Sequence, residues 1–414
     1  MAGRNQITVM AVSSYFKGED FMREAKRQGA RVLLLAQENL KDAPWPHDSI
    51  DEFFLTPNME NHEWVFNTVG YLCRSRQIDR IIPLDEYDVE LAAQLREHLQ
   101  IAGMGVSATH RFRDKLLMRL LTREAGIPVP DFVQVLNYDD LRDYMNRVAA
   151  PWVLKPRTEA GAMGIKKLQE AEEMWRALDA LGDRQTDFLL EQFVPGDVYH
   201  VDSIIWDGEI VFASAQKYGQ PPMTVAHGGG VFMSYNLPRD AQEVRALEAL
   251  NKRVVKVLGM TRGVTHAEFI RAQADGQFYF LEIAGRVGGA HLADLVEAAT
   301  GVNLWREWAN VTIADAKGVP YELPPLRERY AGLLVCLARQ EWPDLSAYDD
   351  AEVVWRLHKQ QHAGLIVASP DADRVQALLG TYVERFGQDF SRSRRHGTSQ
   401  RRKVFSLWQC AVRI

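Results

Sequence analysis

The chain is poor in cysteine. Cys73, Cys336 and Cys410 are the only three in 414 residues, too few and too scattered for a disulfide framework or a cysteine-based zinc site. That scarcity points to a reducing compartment. Long apolar runs are missing too: none reaches the length of a bilayer span, so no membrane partner is expected. The opening MAGRNQITVMAVSS runs straight into a strand pattern without a signal-peptide profile, and a cytoplasmic location is the expectation. Charge of one sign does not dominate. Lys and Arg number 49 against 55 Asp and Glu, a net charge of -6, which excludes a molecule that binds nucleic acid by its overall field. Finally, the GxGxxG dinucleotide fingerprint is absent, so the N-terminal β/α region reads as a structural lobe.

What remains is 46% hydrophobic and 25% charged, which suits a soluble globular protein of two to four domains. ITVMAVS, GEDFMREAKRQGA, RVLLLA and IDRIIPLDEYDVELAAQLREHLQ alternate strand and helix. They predict a doubly wound parallel-sheet α/β domain over residues 1–107. From residue 108 the texture becomes α+β. FRDKLLMRLLTREAG reads as an amphipathic helix stopped by Gly126, with Pro128 and Pro130 beyond it. Hairpins follow, then a helix pair in LVEAATGVNLWREWANVTI. We divide this region, 108–325, into a first lobe (108–190) and a second (191–325). After Pro324 and Pro325 a small α+β domain is expected over 326–390, built on GLLVCLA, AGLIVAS and ADRVQALLGTYVERF. Residues 391–414 form a tail. Its SRSRRHGTSQRRK stretch has six basic residues and no acids, and disorder is the expectation there.

Two acids stand out. GVTHAEFI (263–270) and FYFLEI (278–283) read as antiparallel strands. Alternation puts Val264, His266, Glu268 and Ile270 on one face of the first, and Glu282 with Phe280 and Phe278 on one face of the second. A two-residue Asp275–Gly276 turn would send Glu268 and Glu282 to opposite sides. A three-residue loop, Ala274 to Gly276 with Gly276 left-handed, opposes them. The loop predicts the second form. Facing carboxylates repel unless a cation lies between them, and Mg²⁺ favours one or two carboxylates plus phosphates. Solvated acids are the alternative, against which Phe269 and Phe280 argue.

KPRTEAGAMGI (155–165) joins two strands. Gly161 and Gly164, with Ala162 and Met163 between them, let backbone N–H groups approach an anion. Lys155 ends the preceding strand and Lys115 lies on the preceding helix. Two lysines, a glycine loop and two carboxylates amount to a nucleoside-triphosphate site with its metal. LLEQFVPG would then offer an adenine edge through the Glu191 side chain and the Gln192–Phe193–Val194 backbone, with Asp197 for ribose hydroxyls. The segment 216–238 is the longest irregular stretch, and long loops are commonly functional. Its Lys217, Tyr218 and His227 are candidate substrate contacts, as are the Gly228–Gly230 amides. His266, Gly288 and Gly289 are candidates for the same pocket. A plain structural loop is the competing reading.

The order of these pieces resembles the ATP-grasp family. IIPLDEYDVELAAQL, RFRDKLLMRLLTREAGIPVP, VLKPRTEAGAMGI, LLEQFVPGDVYHVD, GVTHAEFI and FLEIAGR carry the resemblance over residues 75–300. It implies a two-lobed ATP-grasp catalytic region between the N-terminal α/β domain and the C-terminal α+β domain. It also implies use of ATP with Mg²⁺, for which Mn²⁺ can stand in, to activate a small-molecule carboxylate as an acyl phosphate for attack by an amine. Under it, Lys115 and Lys155 contact phosphates beneath the 159–165 loop, and Glu268 and Glu282 bind the metal. Arg286, with Lys155 and Glu282, serves the transfer itself. Many members have Asn at the position of Ala284. Alanine cannot ligate, so either one ion keeps an extra water or a second ion is held more weakly. The E-x-A-x-R pattern after THAEF looks like the L-amino-acid ligase branch. Ala290, where biotin carboxylases carry a catalytic Glu, counts against those enzymes, although AGLIVAS resembles the closing domain of the carboxylase-like group. A purine-pathway or carboxylase-like enzyme and a non-catalytic nucleotide-binding protein are the competing readings. Homodimers are common in the resembled group.

Overall fold

The structure is a computed structural model that describes residues 6–391. The expected basic tail, from residue 392 onward, and Cys410 lie outside the described residues. Three sheets organise the rest. The first is parallel, in the order β3–β2–β1–β4, with β1 Thr8–Ser13, β2 Arg31–Gln37, β3 Glu52–Thr56 and β4 Arg80–Pro83. α1 (Glu19–Arg27) covers one face, and α2 (His62–Leu72) with α3 (Val89–Leu99) the other. Burial on both faces explains why TVMAVS and RVLLLA read as nearly continuous apolar runs.

A short helix, α4 (Val106–His110), leads into α5 (Lys115–Glu124). Asp114 caps α5 by accepting hydrogen bonds from Leu116 N (2.9 Å) and Leu117 N (3.3 Å), which fixes where Lys115 begins the helix. The second sheet is antiparallel, ordered β5–β8–β6–β7, from β5 Phe132–Gln134, β6 Trp152–Pro156, β7 Lys166–Leu168 and β8 Phe188–Gln192. α6 (Tyr138–Arg147) and α7 (Ala171–Leu181) cover one face, where Trp152 and Leu154 pack. By alternation Val153 and Lys155 face the other way, into a cavity.

The third sheet has eight strands: β9 Gly196–Trp206, β10 Glu209–Tyr218, β11 Phe232–Asn236, β12 Gly263–Ala272, β13 Phe278–Ala284, β14 Tyr330–Leu337, β15 Val353–Arg356 and β16 His362–Ser369. Their order is β13–β12–β9–β10–β11–β14–β16–β15. Strands from the expected C-terminal α+β region thus continue the sheet of the second lobe. The intervening helices are α8 (Pro222–Gly228), α9 (Gln242–Leu258), α10 (Leu292–Thr300), α11 (Leu304–Lys317) and α12 (Ala372–Asp389). α5 packs with α9 on this sheet through Met118, Leu247, Val254 and Phe269. The architecture is therefore α/β followed by α+β. Among the described residues no helix is long and apolar enough to cross a membrane.

Two local expectations are corrected. The 216–238 segment is not irregular: it holds the end of β10, α8 and β11. The β12–β13 loop is longer than three residues. Ala272 N donates to Gln277 O (2.9 Å), leaving four residues, 273–276, in the turn. That register alone would set Glu268 opposite Leu281. A bulge restores it, because Phe269 pairs with Phe280 while Glu268 pairs with Glu282. Leu281 is the extra residue. Phe280 and Glu282 consequently lie on opposite faces, not on one: Phe280 packs into the core under α9 and Glu282 turns to the cavity.

Candidate active site

The three sheets meet around a cavity of about 330 Å³. At one end β6, β8 and α5 bring three charged side chains together. Arg119 Nε donates to Glu191 Oε2 (3.1 Å), and the Lys155 ammonium pairs with Glu191 Oε1. All three are buried, Arg119 completely. Burial pulls the Lys155 ammonium down to about 8, against the attraction of Glu191. Burial would raise the Glu191 carboxyl, but Arg119 and Lys155 outweigh it and hold it below the usual range. Gln192, Phe193 and Val194 follow along the cavity wall. Opposite lie Gly161, Ala162 and Met163 of the glycine loop, with Gly161, Ala162 and Gly164 all left-handed (φ 65°, 57° and 69°). Gly164 itself is set back: a Cβ there would meet Pro156 Cγ at 2.8 Å.

Removing the anion from this triad leaves two buried cations with no counter-charge. Glu191→Gln is therefore expected to lower unfolding free energy by about 3–5 kcal/mol at pH 7. Arg119→Met, which leaves a neutral Lys–Glu pair, should cost clearly less. In the folded state Lys155 loses its proton near 8, whereas an unfolded lysine does so at about 10.4. Without Glu191 the attraction that opposes burial is lost and the Lys155 ammonium falls further, so the unfolded variant binds more protons than its folded form over a wider window than in the parent, and rising pH relieves part of the Glu191→Gln defect. Urea titrations of the two variants at pH 7 and pH 9.5 check both statements.

In the middle of the cavity stand Glu268 and Glu282, opposed across β12 and β13. Lys115 Nζ lies 3.0 Å from Glu282 Oε2 and donates to Glu159 O at 2.5 Å, tying the glycine loop to the hairpin. Tyr218 Oη donates to Glu268 Oε1 at 2.8 Å. Two carboxylates on one face are a donor set of hard oxygens, which suits Mg²⁺ or Mn²⁺. Ala284, two residues on, pairs with His266 and adds only a methyl group to the wall.

Arg286 follows β13. Its Nε donates to Glu86 Oε2 (2.6 Å) and its Nη1 to Val287 O (2.7 Å). Glu86, on the loop after β4, also accepts from Arg113 Nη1 (2.6 Å). Burial would raise the Glu86 carboxyl, yet Arg286 and Arg113 hold it at about 2. Nothing in the sequence spacing announces a pair 200 residues apart. Beyond Arg286, Ala290 and His291 are both left-handed (φ 51° and 62°). Such backbone costs about 1–3 kcal/mol per residue and clusters at functional sites.

A polar cluster missed in the sequence backs this wall. His200 and His266 each donate Nδ1–H to Asp202, at 2.8 and 2.9 Å, and Ser234 Oγ lies 2.8 Å from His200 Nε2. Burial lowers the His200 ring, whereas Asp202 and Glu268 overcome burial and raise His266 to about 9. The signal was available: H-x-D in β9 has period two, and β12 sets His266 beside Asp202. Gly288 rests on this cluster, its missing Cβ 3.0 Å from both Asp202 Oδ1 and His266 Nδ1.

Several expected residues are not brought to the cavity. Lys217 points away because its neighbour Tyr218 points in. It pairs instead with Asp197 (2.7 Å), which removes Asp197 from the expected ribose position as well. Gly228, which ends α8, and Gly229 and Gly230 beyond it are exposed, and Gly229 N is spent on Val225 O (2.8 Å). His227 lies in α8; its side chain falls outside what is described. Gly289 and His266 do line the cavity.

Residues 148–294, which hold the glycine loop, the acid hairpin and two of the three triad residues, match the family model of the ATP-grasp domain. Over these residues the chain is similar to the ATP-grasp domain. It is 27% identical, over 243 residues, to an L-arginine-specific L-amino acid ligase of Bacillus subtilis, an overlap of 57% of this chain and 58% of that relative. The chain thus spans somewhat over half the length of that relative. Among solved structures, the chain is similar in fold to the L-amino acid ligase from Bacillus licheniformis (TM-score 0.74, 17% identity, 95% of this chain and 100% of the other). It is similar in fold also to an N5-carboxyaminoimidazole ribonucleotide synthetase from Thermus thermophilus (TM-score 0.69, 17% identity, 94% and 100%).

Proposed function

We propose that the protein is an ATP-dependent carboxylate–amine ligase that joins amino acids, or a related small acid and amine, with release of ADP and phosphate. One observation carries this reading. A single cavity is lined by the buried Lys155–Glu191 pair, which Arg119 backs from behind, by an opposed carboxylate pair and by the Arg286 guanidinium. A protein that only bound a nucleotide would need no arginine at the cavity wall past the carboxylates.

In this reading Glu191 and the Gln192–Val194 backbone hold adenine, Lys115 and Lys155 hold phosphates, and the 159–165 loop covers them. Glu268 and Glu282 hold Mg²⁺, which when bound screens the polyphosphate charge. The acid substrate attacks the γ-phosphorus, forming an acyl phosphate and ADP. Arg286 stabilises charge on the transferring group and on the later tetrahedral oxyanion. The amine then attacks the acyl carbon and phosphate leaves. The β5–β8 sheet with its helices is the first lobe, the large sheet the second, and the cleft between them is where water is excluded from the labile acyl phosphate.

The test is ADP release from Mg-ATP with amino acids supplied singly and in pairs, with and without bicarbonate. Release that requires two amino acids together is expected. Release that requires bicarbonate would favour the carboxylase-like alternative instead.

A further inference from the structure

The cavity has two kinds of wall. One wall carries charged groups that are largely matched against one another: Lys155 with Glu191, Lys115 with Glu282, Arg286 with Glu86, His266 with Asp202 and, on the loops after β1 and β4, Lys17 with Asp85. The remaining wall is built by α8, β11, β14 and the first residue of α10, and among its lining residues none is charged. Met223, Phe232, Leu292, Val335 and Leu337 form it. Phe232 and Val335 are direct cross-strand partners.

This apolar wall adjoins the reacting groups. The Phe232 ring lies 5.5 Å from the Tyr218 ring, and Tyr218 donates to Glu268. Leu292 ends the left-handed Ala290–His291 turn that follows Arg286. A substrate whose carboxylate meets Arg286 would therefore lay its side chain on Phe232, Leu292 and Val335. A guanidinium or carboxylate there would find no opposite charge and would lose hydration, which is costly.

We infer that this wall is the side-chain pocket of one substrate, and that the substrate is an amino acid with a large apolar side chain. The inference rests on the ligase reading and gives it a substrate class. It predicts a chemistry different from that named for the arginine-specific relative.

Calorimetric titration of the protein, loaded with Mg²⁺ and a non-hydrolysable ATP analogue, tests this without turnover. Leucine and phenylalanine should bind at least about tenfold tighter than arginine or glutamate, the scale of burying one apolar side chain. Phe232→Ala should lose about tenfold or more for leucine. Met223→Glu, on the short α8 helix, should weaken leucine and strengthen arginine, and it serves if Phe232→Ala does not fold. Arginine or glutamate binding as tightly as leucine would overturn the inference. So would no amino acid binding, or both variants binding leucine as the parent does. Leucine binding with no ADP released by any pair would leave the pocket standing and remove the ligase reading.

Discussion

Glu282→Gln is expected to cut ADP release by about a thousandfold or more, some 4 kcal/mol of transition-state stabilisation. Glutamine keeps the length and one oxygen of the side chain but loses the charge. Glu282 is one-third exposed, and its buried partner Lys115 keeps its hydrogen bond to Glu159 O when the charge is removed. Its melting temperature should stay within a few degrees of the parent. Of the two opposed hairpin acids only Glu268 then keeps its carboxylate, and a hard cation loses one of two charged ligands. The adenine end is untouched, because Glu191, Lys155 and Arg119 satisfy one another without Glu282. Nucleotide binding by calorimetry should persist while turnover collapses. Turnover within about tenfold of the parent would remove Glu282 from the metal site.

Arg286→Lys is expected to lower kcat by about 10²–10³, with little change in KM for ATP. A lysine keeps the positive charge near Glu86, so the ion pair between the first domain and the hairpin survives. What it loses is the planar fork. Nε is already engaged by Glu86 and Nη1 by Val287 O, which orients the guanidinium before substrate arrives. Glu86 keeps Arg113 at 2.6 Å in the variant, so it is not left as a lone buried charge. Stability should therefore fall far less than activity. The opposite pattern, full turnover with a lowered melting temperature, would make Arg286 a structural clamp only.

The two carboxylates illustrate what could be read in the sequence and what could not. Alternation in THAEF and FYFLEI, with a glycine at the turn, was enough to oppose Glu268 and Glu282. The route was different, since a four-residue turn and a bulge at Leu281 compensate for each other. A bulge leaves no composition signature, so the face of Phe280 was misjudged. Lys115, Lys155 and Glu191 were legible because each stands at the end or start of a regular element. Lys217 was not, because the strand of Tyr218 runs further than its glycine-rich surroundings suggest, and period two then turns Lys217 outward. Glu86 and Arg113 gave no signal of their role, which exists only after β4 and β13 are brought together.

The most direct test of the central claim follows the oxygen. With the carboxylate oxygens of the acid substrate labelled with ¹⁸O, an acyl phosphate passes one of them to phosphorus when the amine attacks carbon. One ¹⁸O in the released phosphate for each amide bond formed is the expected result. Unlabelled phosphate alongside amide product would contradict activation of the carboxylate, and with it the roles proposed for Glu282 and Arg286.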